Sequence, residues 1–460
     1  MPSKSQNEFF QLTGLAREFE NKTLKPSEIT EFYLHRILEN DASIKAFETT
    51  YADAAMRAAK AADYQIAEGN WLGPFHGIPF VLKDICDLEG HVTTCGSKLY
   101  KNRVANSTAI IASRLFSAGG ILLGKSKTVE FAFGGWGTNQ KMGTPRNPWD
   151  NQKYRICGGS SSGSAAALAG NMAVCAIGTD TGGSVRLPSA FCGLTGLKVT
   201  KGRVPTDGIM PLSHTLDTPG PMARSIADLM VMFEVLLGKK KEQIKRSVKP
   251  FIDNDIHFME RLPKVRLGTI NTRARRECSS QVLKHYDKVI KILESNGAII
   301  ETYEPEIDFS EISERISDII AVEAYHHHGH LYEENSNPMD EDVRKRVLKV
   351  RNYTAYNYLN LLKKRKEAQK LFFNSIKGYD ALLSPTTTSE APLVSEVDQS
   401  ISPGYFTRPI NYYDMCAISI PMGLSKNKLP LGLQISARPC EELTALKIGA
   451  IIEQEIGSIF

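Results

Sequence analysis

The sequence lacks the segments that carry a protein into or across a membrane. Its first eight residues contain no apolar run of the kind found in signal peptides. The longest stretch without a charged residue, 156–179, is long enough to cross a bilayer. That stretch is rich in glycine and serine, however, and predicts a segment of a soluble core. We therefore expect no membrane association.

Cysteine pairs of the C-x-x-C type are also absent, although the chain has eight cysteines. Cys175 and Cys192 lie among apolar or small residues, a context typical of a buried free thiol. Free thiols are the rule in reducing compartments. The sequence thus predicts a cytoplasmic protein that does not depend on disulfides.

The sequence also lacks a large excess of positive or negative charge, since its formal net charge is only +5 over 460 residues. The densest basic run, 239–249, has no interleaved aromatic residues on which nucleic-acid bases could stack. This run predicts a solvated surface, so we expect no nucleic-acid partner. With 42% hydrophobic and 23% charged residues, the composition is globular and excludes disordered, collagen-like and coiled-coil proteins.

The succession of apolar patterns indicates the fold class. Residues 1 to about 70 have helical periodicity, and residues about 75–227 alternate short apolar runs with glycine-rich turns and helical patterns, which is typical of an α/β core. Residues from about 228 to 380 are more charged and mostly helical, with one strand-helix-strand unit between 265 and 302. Strand-like runs return after Ala381 and are expected to rejoin the first sheet. No repeat or low-complexity linker divides the chain, which favours one large domain.

One segment has the residue pattern of a phosphate-binding loop without the secondary structure that such a loop requires. Residues 119–126 fit the pattern G-x-x-x-x-G-K-[ST]. A phosphate loop needs a strand before the glycines and a helix after them, whereas here a predicted helix comes first and Ile121-Leu122-Leu123 favours a strand. We interpret the motif as a helix-to-strand turn with glycine at the end of the helix, which leaves a nucleotide-binding protein as an alternative without further support.

A histidine cluster at His326, His327, His328 and His330 is the second candidate, here for a metal site. Adjacent histidines on one segment cannot all face one ion, and a zinc site needs a defined number of ligands. We predict a solvated or pocket-lining helix at this position and no metal.

A region rich in glycine and serine is different in kind. Residues 157–167 predict a loop that runs into an Ala-rich helix, and a buried strand then leads to the segment 179–188. Ser184 follows two glycines, where missing side chains let the backbone approach a reacting group. If Ser184 opens the next helix, its amide and the preceding amides point into one space, as the donors of an oxyanion hole do.

A serine hydroxyl is a weak nucleophile and needs a base. His214 is the only histidine between residues 92 and 256, and its surroundings indicate a polar turn. Lys83 ends an apolar run, where loss of water would lower the lysine pKa and favour the neutral, basic amine. Because serine-lysine pairs are a known variant of the catalytic triad, Lys83 is the better candidate.

Several ordered segments resemble the amidase signature family. The strongest are 77–84 with Lys83, 158–161 with Ser160, and 178–186 with Ser184. Further matching segments are 143–150, 190–198, 216–221 and 430–434. The resemblance covers roughly residues 10 to 455 and is strongest from 75 to 225.

This resemblance implies a single α/β domain over residues 1–460, with a central mixed β-sheet covered by α-helices on both faces. Its signature core spans about 75–227, and a variable helical region for substrate binding spans about 228–400. The implied activity is hydrolysis of a carboxamide in a small molecule through an acyl-enzyme, without a metal or an organic cofactor. A catalytically dead binding module is the alternative from another class.

The family's catalytic roles pass to the matching positions of this sequence. Ser184 is then the nucleophile, Lys83 the base, and Ser160, which follows a cis peptide bond after Gly159, the proton shuttle between them. The implied oxyanion hole consists of the amides of Thr181, Gly182, Gly183 and Ser184. The implied supporting residues are Ser161, Asp180 and Arg186. One position departs from the family pattern of two glycines after Ser161, because Ser162 precedes Gly163.

Substrate selection is expected in the helical region and the loop just beyond it. The candidate pocket residues are Tyr325, His326, Tyr353, Tyr356, Arg365, Tyr405 and Phe406. The alternative within the family is the glutaminase subunit of a tRNA-dependent amidotransferase, in which Arg365 would lie about where the glutamine carboxylate is held. The segment 129–136 departs from the Met-Asp-Glu-Phe-Ala-Met-Gly-Ser run associated with those subunits. For the amidase itself, a homodimer is one option.

Overall fold

One sheet runs through the described part of the chain, which comprises residues 11–252, 265–305, 307–457 and 459 of a computed structural model. Within these residues eleven strands join in a single mixed sheet. The strands are β1 Phe47–Thr50, β2 Pro79–Lys83, β3 Ile121–Ser126, β4 Cys175–Asp180, β5 Thr195–Lys198, β6 Thr218–Ala223, β7 Arg266–Thr269, β8 Ile299–Thr302, β9 Ala381–Pro385, β10 Cys416–Leu424 and β11 Pro430–Ala437. Their order in the sheet is β1-β3-β2-β4-β6-β5-β10-β11-β9-β7-β8.

The same described residues contain fifteen α-helices. They are α1 Leu12–Glu20, α2 Pro26–Ile44, α3 Ala52–Ala67, α4 Ile110–Ser117, α5 Ser162–Ala169, α6 Arg186–Cys192, α7 Ile226–Leu236, α8 Lys241–Ile252, α9 Thr272–Arg276, α10 Ser280–Ser295, α11 Phe309–Glu333, α12 Glu341–Leu348, α13 Ala355–Ser375, α14 Thr407–Tyr412 and α15 Glu442–Ile456. None of these helices combines the length and the apolar character that crossing a bilayer requires.

Helices cover both faces of the sheet, as predicted. Gly449 of α15 lies against Ile418 of β10, which pairs with Ile435 of β11. Gly432 of β11 lies against Ala190 of α6 instead. Residues 432 and 435 are three apart on one strand and therefore point to opposite faces, so α6 and α15 lie on opposite sides of the sheet.

The last strands of the chain lie in the middle of the sheet. β10 pairs antiparallel with β5, and β11 pairs antiparallel with β9. Among the strands that the structure describes, β2 pairs parallel with β3 and β4, and β7 pairs parallel with β8 and β9. The expectation that the segments after Ala381 rejoin the first sheet is confirmed.

The turn interpretation of residues 119–126 is confirmed, and one expectation for the N-terminal region needs correction. Helix α4 precedes the glycines, and β3 includes the lysine and serine of the motif. Lys125 is fully buried, and its Nζ lies 2.6 Å from Asp84 Oδ1, so it is not free for a phosphate. The first 70 residues are not wholly helical, because β1 pairs at the sheet edge with β3. Residues 1–10 lie outside the described residues.

Candidate active site

Lys83 ends β2 in the interior of the protein. Its side chain is fully buried, and its Nζ donates to Ser160 Oγ at 2.7 Å and to Thr179 Oγ1 at 2.8 Å. Burial lowers the pKa of Lys83 to about 7, because the charged form is poorly solvated there. A large fraction of this amine is therefore neutral near pH 7 and able to accept a proton.

The segment that carries Ser160 is fixed from two sides. The peptide bond between Gly159 and Ser160 is cis, as the resemblance implies. The Ser160 carbonyl accepts the Thr128 hydroxyl at 3.0 Å and the Val129 amide at 3.3 Å. On the other side, the Ser161 amide donates to the Ser184 carbonyl at 3.3 Å. These bonds hold the segment of Ser160 and Ser161 against the backbone of Ser184 on one side and that of Thr128 and Val129 on the other.

Ser184 lies in the turn between β4 and α6, and 7% of its surface is exposed, next to a cavity. Within the described residues its hydroxyl makes no hydrogen bond, and neither do the backbone amides of Thr181, Gly182 and Ser184. The Gly183 amide differs, because it donates to Asp180 Oδ1 at 2.8 Å. The turn therefore offers three free amides beside a free hydroxyl, and the fourth predicted donor already has an acceptor.

The turn takes its shape from a buried ion pair. Arg186 donates through Nε and Nη2 to both carboxylate oxygens of Asp180, each at 2.9 Å, and both side chains are fully buried. Burial alone would raise the pKa of Asp180, but the charge and the hydrogen bonds of Arg186 hold it below its usual range. Arg186 is itself anchored to Gln434 Oε1 at 2.6 Å and to Asn411. The pair thus ties the turn to β11 and α14.

Asp217 supports the same turn from the other side. Its Oδ1 accepts the Thr181 hydroxyl at 2.5 Å, and its Oδ2 accepts the amides of Leu212 and Ser213 at 2.9 Å. Burial raises the pKa of Asp217. This carboxylate connects the loop 212–217 to Thr181.

Two cavities meet at Thr181. The larger, of about 470 Å³, contains Ser184 and is lined by Phe133, Trp136, Ile320, Arg346 and Arg408 among others. The smaller, of about 310 Å³, is lined by Thr179, Lys201, His214 and Asp217 among others. Ala132, Thr181 and Leu212 line both cavities.

The seven predicted pocket residues lie outside the lining of the cavity beside Ser184. None of the seven lines the cavity beside Ser184: Tyr325, His326, Tyr353, Tyr356, Arg365, Tyr405 and Phe406. Arg365 is buried, and its guanidinium binds Asp414 at 2.6 Å and the carbonyls of Asn411 and Tyr412. Tyr325, His326, Tyr353 and Tyr356 stand on exposed or partly exposed surface of α11, α13 and the segment between α12 and α13, while Phe406 packs in the core.

The histidine cluster does not bring its rings around one point. His328 is buried with Nε2 2.7 Å from the Pro211 carbonyl oxygen, whereas His326 is exposed. Among the residues that the structure describes, no three histidine, cysteine, aspartate or glutamate side chains lie close enough to bind a metal ion. His214 interacts with Glu323 and Tyr358 and not with Ser184.

Residues 28–446 match the family model described as Amidase. The chain belongs to the amidase family. This amidase is 33% identical over 470 residues to the A subunit of glutamyl-tRNA(Gln) amidotransferase from Trichlorobacter lovleyi, with 96% of each chain covered. It is 32% identical to the protein of the same name from Geobacter metallireducens, covering 97% of this chain and 98% of the relative.

Solved structures give the same family. A crystal structure of an amidase superposes with a TM-score of 0.86 at 25% identity, covering 97% of this chain and 100% of the other. Native peptide amidase from Stenotrophomonas maltophilia superposes with a TM-score of 0.82 at 25% identity, covering 97% and 96%. This amidase therefore has the single mixed-sheet fold of amidase-signature hydrolases.

Sequence reasoning missed several residues of this amidase site. Thr179 lies two residues before Thr181, and its hydroxyl is the second partner of Lys83. Asp217 belongs to a segment that matches the family, but the sequence gives no sign that it binds Thr181. The cavity arginines, Arg346 and Arg408, come from α12 and α14. Their position depends on how distant segments meet, so no local pattern indicates it.

Proposed function

We propose that this amidase hydrolyses a carboxamide C–N bond through an acyl-enzyme, with Ser184 as nucleophile, Lys83 as base and Ser160 as proton shuttle. The observation that carries the proposal is the buried hydrogen bond between Lys83 Nζ and Ser160 Oγ, 2.7 Å long, in a segment that is bonded through the Ser161 amide to Ser184, which lines a cavity. A neutral lysine in this position can activate a serine hydroxyl as histidine does in other triads.

The first step forms a bond between Ser184 Oγ and the carbonyl carbon of the amide. The Ser184 proton passes to Ser160, whose own proton passes to Lys83, and negative charge develops on the carbonyl oxygen. When the C–N bond breaks, the relay returns a proton to the leaving nitrogen, which departs as ammonia or amine. Water then attacks the acyl group along the same relay and releases the carboxylic acid. No metal or organic cofactor takes part in this scheme.

The oxyanion hole in this proposal consists of the amides of Thr181, Gly182 and Ser184. The Gly183 amide keeps its bond to Asp180, and that bond fixes the curvature of the turn. Preorganised amides of this kind stabilise the developing charge at no cost in reorganisation during the reaction. Ser161, Asp180 and Arg186 act as positioning residues.

A second candidate is the glutaminase subunit of a tRNA-dependent amidotransferase, in the cytoplasm. Two curated relatives that carry such a name are 32% and 33% identical to this chain over nearly its whole length. The chemistry at Ser184 would be the same, with glutamine as the amide and with a second protein of the complex receiving the ammonia. Arg365 would not bind the glutamine carboxylate in this case, since its guanidinium is occupied by Asp414.

The first experiment measures ammonia release from aliphatic, aromatic and glutamine amides by the wild type and Ser184→Ala. We expect turnover of at least one amide and its loss in the variant, together with labelling of Ser184 by a fluorophosphonate probe. Turnover that survives Ser184→Ala would contradict the assignment of the nucleophile. Glutamine turnover that appears only after co-purification with a larger partner would favour the role in an amidotransferase.

A further inference from the structure

The smaller of the two cavities lies on the Lys83 side of the turn that carries Ser184. Thr179 and Thr181 both line it, and Lys83 Nζ donates to the Thr179 hydroxyl at 2.8 Å. Thr181 also lines the larger cavity, which Ser184 lines as well. A carbonyl carbon bound to Ser184 beside Thr181 therefore has one cavity on each side of it.

Five apolar residues give the small cavity much of its lining. Ile85, Leu212 and Pro219 are buried, and Ile209 and Met210 are partly buried. These residues offer carbon surface to a ligand, and the removal of apolar surface from water is favourable. This wall suits an alkyl or aryl group better than a charged one.

The charged residues of the same lining are balanced by partners or stand at its mouth. Lys201 Nζ donates to the Asp217 carbonyl at 2.9 Å. Burial lowers the pKa of Lys201, while the carboxylates of Asp217 and Glu323 act in the opposite direction, so this cation already lies close to negative charge. Asp207 and His214 are exposed and therefore lie at the opening to solvent.

The small cavity is larger than ammonia requires. At about 310 Å³ it reaches the size at which cavities hold small organic ligands, about 300 Å³ and above. A water molecule, which is about as large as ammonia, takes only about 30 Å³. The cavity therefore has room for an amine that carries a carbon chain or a ring.

The path of the proton decides which part of an amide lies on this side. When the C–N bond breaks, its electron pair stays on nitrogen, and nitrogen takes the proton that Lys83 holds, through Ser160. The leaving nitrogen must therefore face these two residues. Thr179 joins Lys83 to the wall of the small cavity, which places that cavity on the nitrogen side of the carbonyl carbon.

We propose that the small cavity binds the amine part of the substrate, so that the preferred substrate is a secondary amide with an uncharged alkyl or arylmethyl group on nitrogen. The inference rests on the proposed function, because Ser184 and Lys83 define the two sides of the carbonyl carbon. Hydrolysis of such a substrate releases a primary amine in place of ammonia. Met210 and the other apolar residues of the lining are then specificity-determining residues for the leaving group.

The test varies the amine while the acyl group stays fixed. The substrates are the primary amide, the N-methylamide and the N-butylamide of the acyl group that gives the fastest ammonia release. Methylamine and butylamine are nearly equally basic, so the two N-alkyl amides differ mainly in the apolar surface that the cavity can bury. We expect kcat/KM for the N-butylamide to exceed that for the primary amide, and to exceed that for the N-methylamide at least tenfold, since one methylene in an apolar pocket is worth about tenfold or more.

Two variants each fill one cavity with the same side chain. Met210→Trp occupies part of the small cavity and should bring the ratio of kcat/KM between N-butylamide and N-methylamide down to about one. Ile401→Trp is the matched control, because Ile401 lines the large cavity and is 61% exposed. This control should leave the ratio within about twofold of the wild-type value. Thr206→Tyr, at another partly buried position of the small cavity, replaces Met210→Trp if thermal melting shows that the latter does not fold.

Binding without turnover tests the subsite apart from the chemistry. The probe is N-(para-fluorobenzyl)acetamide, whose small acetyl group leaves the amine part to provide most of the contact. A fluorine NMR titration of Ser184→Ala should show saturable binding of this probe. Adding Met210→Trp should abolish the binding, and adding Ile401→Trp should not.

The results separate a failure of the subsite from a failure of the proposed function. If primary amides turn over through Ser184 but a longer N-alkyl chain gives no gain, the amine subsite is wrong and the proposed function stands. If no amide turns over but the probe binds and Met210→Trp abolishes its binding, the subsite stands and the proposed function fails. The subsite is also overturned if the probe does not bind, or if Met210→Trp changes the preference among acyl groups and not among amines.

Discussion

At the scale of single residues, Ser162 and Gly163 explain why the chain departs from the family pattern at one position and keeps it at the next. A Cβ on Gly163 would lie 2.3 Å from the Ala46 carbonyl oxygen and 2.5 Å from the Lys127 nitrogen. Both atoms belong to the backbone and cannot move aside. At position 162 a side chain fits, but its buried hydroxyl has no hydrogen-bond partner in the part of the chain that the structure describes.

Opposite effects on stability are therefore expected at these neighbours. Gly163→Ala should lower the free energy of unfolding by about 2 kcal/mol or more, because an overpacked core must shift backbone. Ser162→Ala should raise it by about 1 kcal/mol, because it removes a buried hydroxyl that has no partner. Urea unfolding of the two variants beside the wild type measures both. Equal losses in the two would contradict the packing argument.

The buried amine of Lys83 sets the expected pH dependence. Because its pKa is lowered to about 7, the basic form accumulates as the pH rises through 7. We expect kcat/KM for a neutral amide to rise from pH 5.5 to about 8 and then to level off. A profile that is flat, or that falls with rising pH, would refute a neutral lysine as the base. A neutral substrate is essential, since titration of a charged one would distort the curve.

At the scale of elements, helix α11 holds the loop 212–217 through the carboxylate of Glu323. Glu323 is buried and accepts the Ser213 hydroxyl, the Thr215 hydroxyl at 2.7 Å and the Tyr358 hydroxyl at 2.7 Å. Burial alone would raise its pKa, but these hydrogen bonds lower it below the usual value. The same loop continues to Asp217, which accepts the Thr181 hydroxyl. Glu323 of α11 is therefore connected to the proposed oxyanion turn through this loop and Asp217.

Glu323→Gln is expected to loosen this connection. The amide keeps the shape but replaces one acceptor oxygen with a donor, which should cost about 1 to 3 kcal/mol of stability. We also expect kcat to fall more than KM rises, because the turn that is affected carries the proposed oxyanion hole. Glu333→Gln on the same helix is the matched control, since its carboxylate is exposed and, among the described residues, accepts a hydrogen bond from Tyr325 alone. If both variants behave alike, the loop is not held through Glu323.

Comparison of the observed strands and helices with the sequence patterns shows which elements could be predicted from the sequence. Strands β2, β4 and β10 coincide with apolar runs in the sequence, and helices α4 and α5 coincide with amphipathic or Ala-rich patterns. These five elements could therefore be predicted from the sequence. Strand β6, with the sequence Thr-Pro-Gly-Pro-Met-Ala, was missed because its residues have little intrinsic strand preference. Its place between β4 and β5 is decided by long-range pairing.

The candidate site also has a part that could be predicted from the sequence and a part that could not. Lys83, Ser160 and Ser184 lie in segments that match a family, so their approach could be expected from the sequence. The lining of the cavity beside Ser184 could not be predicted, because Arg346 and Arg408 come together there from helices about 60 residues apart in the sequence. Tyr356 of α13 and Tyr353 just before it have the side-chain type of pocket residues, but a helix pattern does not say which face of the helix meets which cavity.

At the scale of the whole molecule, the strand order joins distant parts of the chain. Strand β5 pairs through Gly196, Leu197 and Lys198 with Ala417, Ile418 and Ser419 of β10. The signature core of about 75–227 therefore ends at an open sheet edge when the C-terminal strands are missing. An open apolar edge favours aggregation.

We therefore expect the fragment 11–252 to lack a cooperative thermal transition when it is made alone. Co-expression with the fragment 265–460 should restore one, because it supplies β10 and β11. Circular dichroism and heating curves of the fragment, the mixture and the intact chain provide the comparison. A lone fragment that melts cooperatively would indicate that the signature core is a separate folding unit.

The central position of β10 and β11 also bears on how the protein is made. A ribosome builds the chain from the N-terminus, so residues 416–437, which form β10 and β11, emerge after all of the strands from β1 to β9. Until β10 and β11 have emerged, the edge of β5 that pairs with β10 and the edge of β9 that pairs with β11 are both open. The two halves of the sheet therefore stay unjoined on the nascent chain until β10 and β11 have been made, and the open edges of β5 and β9 are exposed to aggregation until that point.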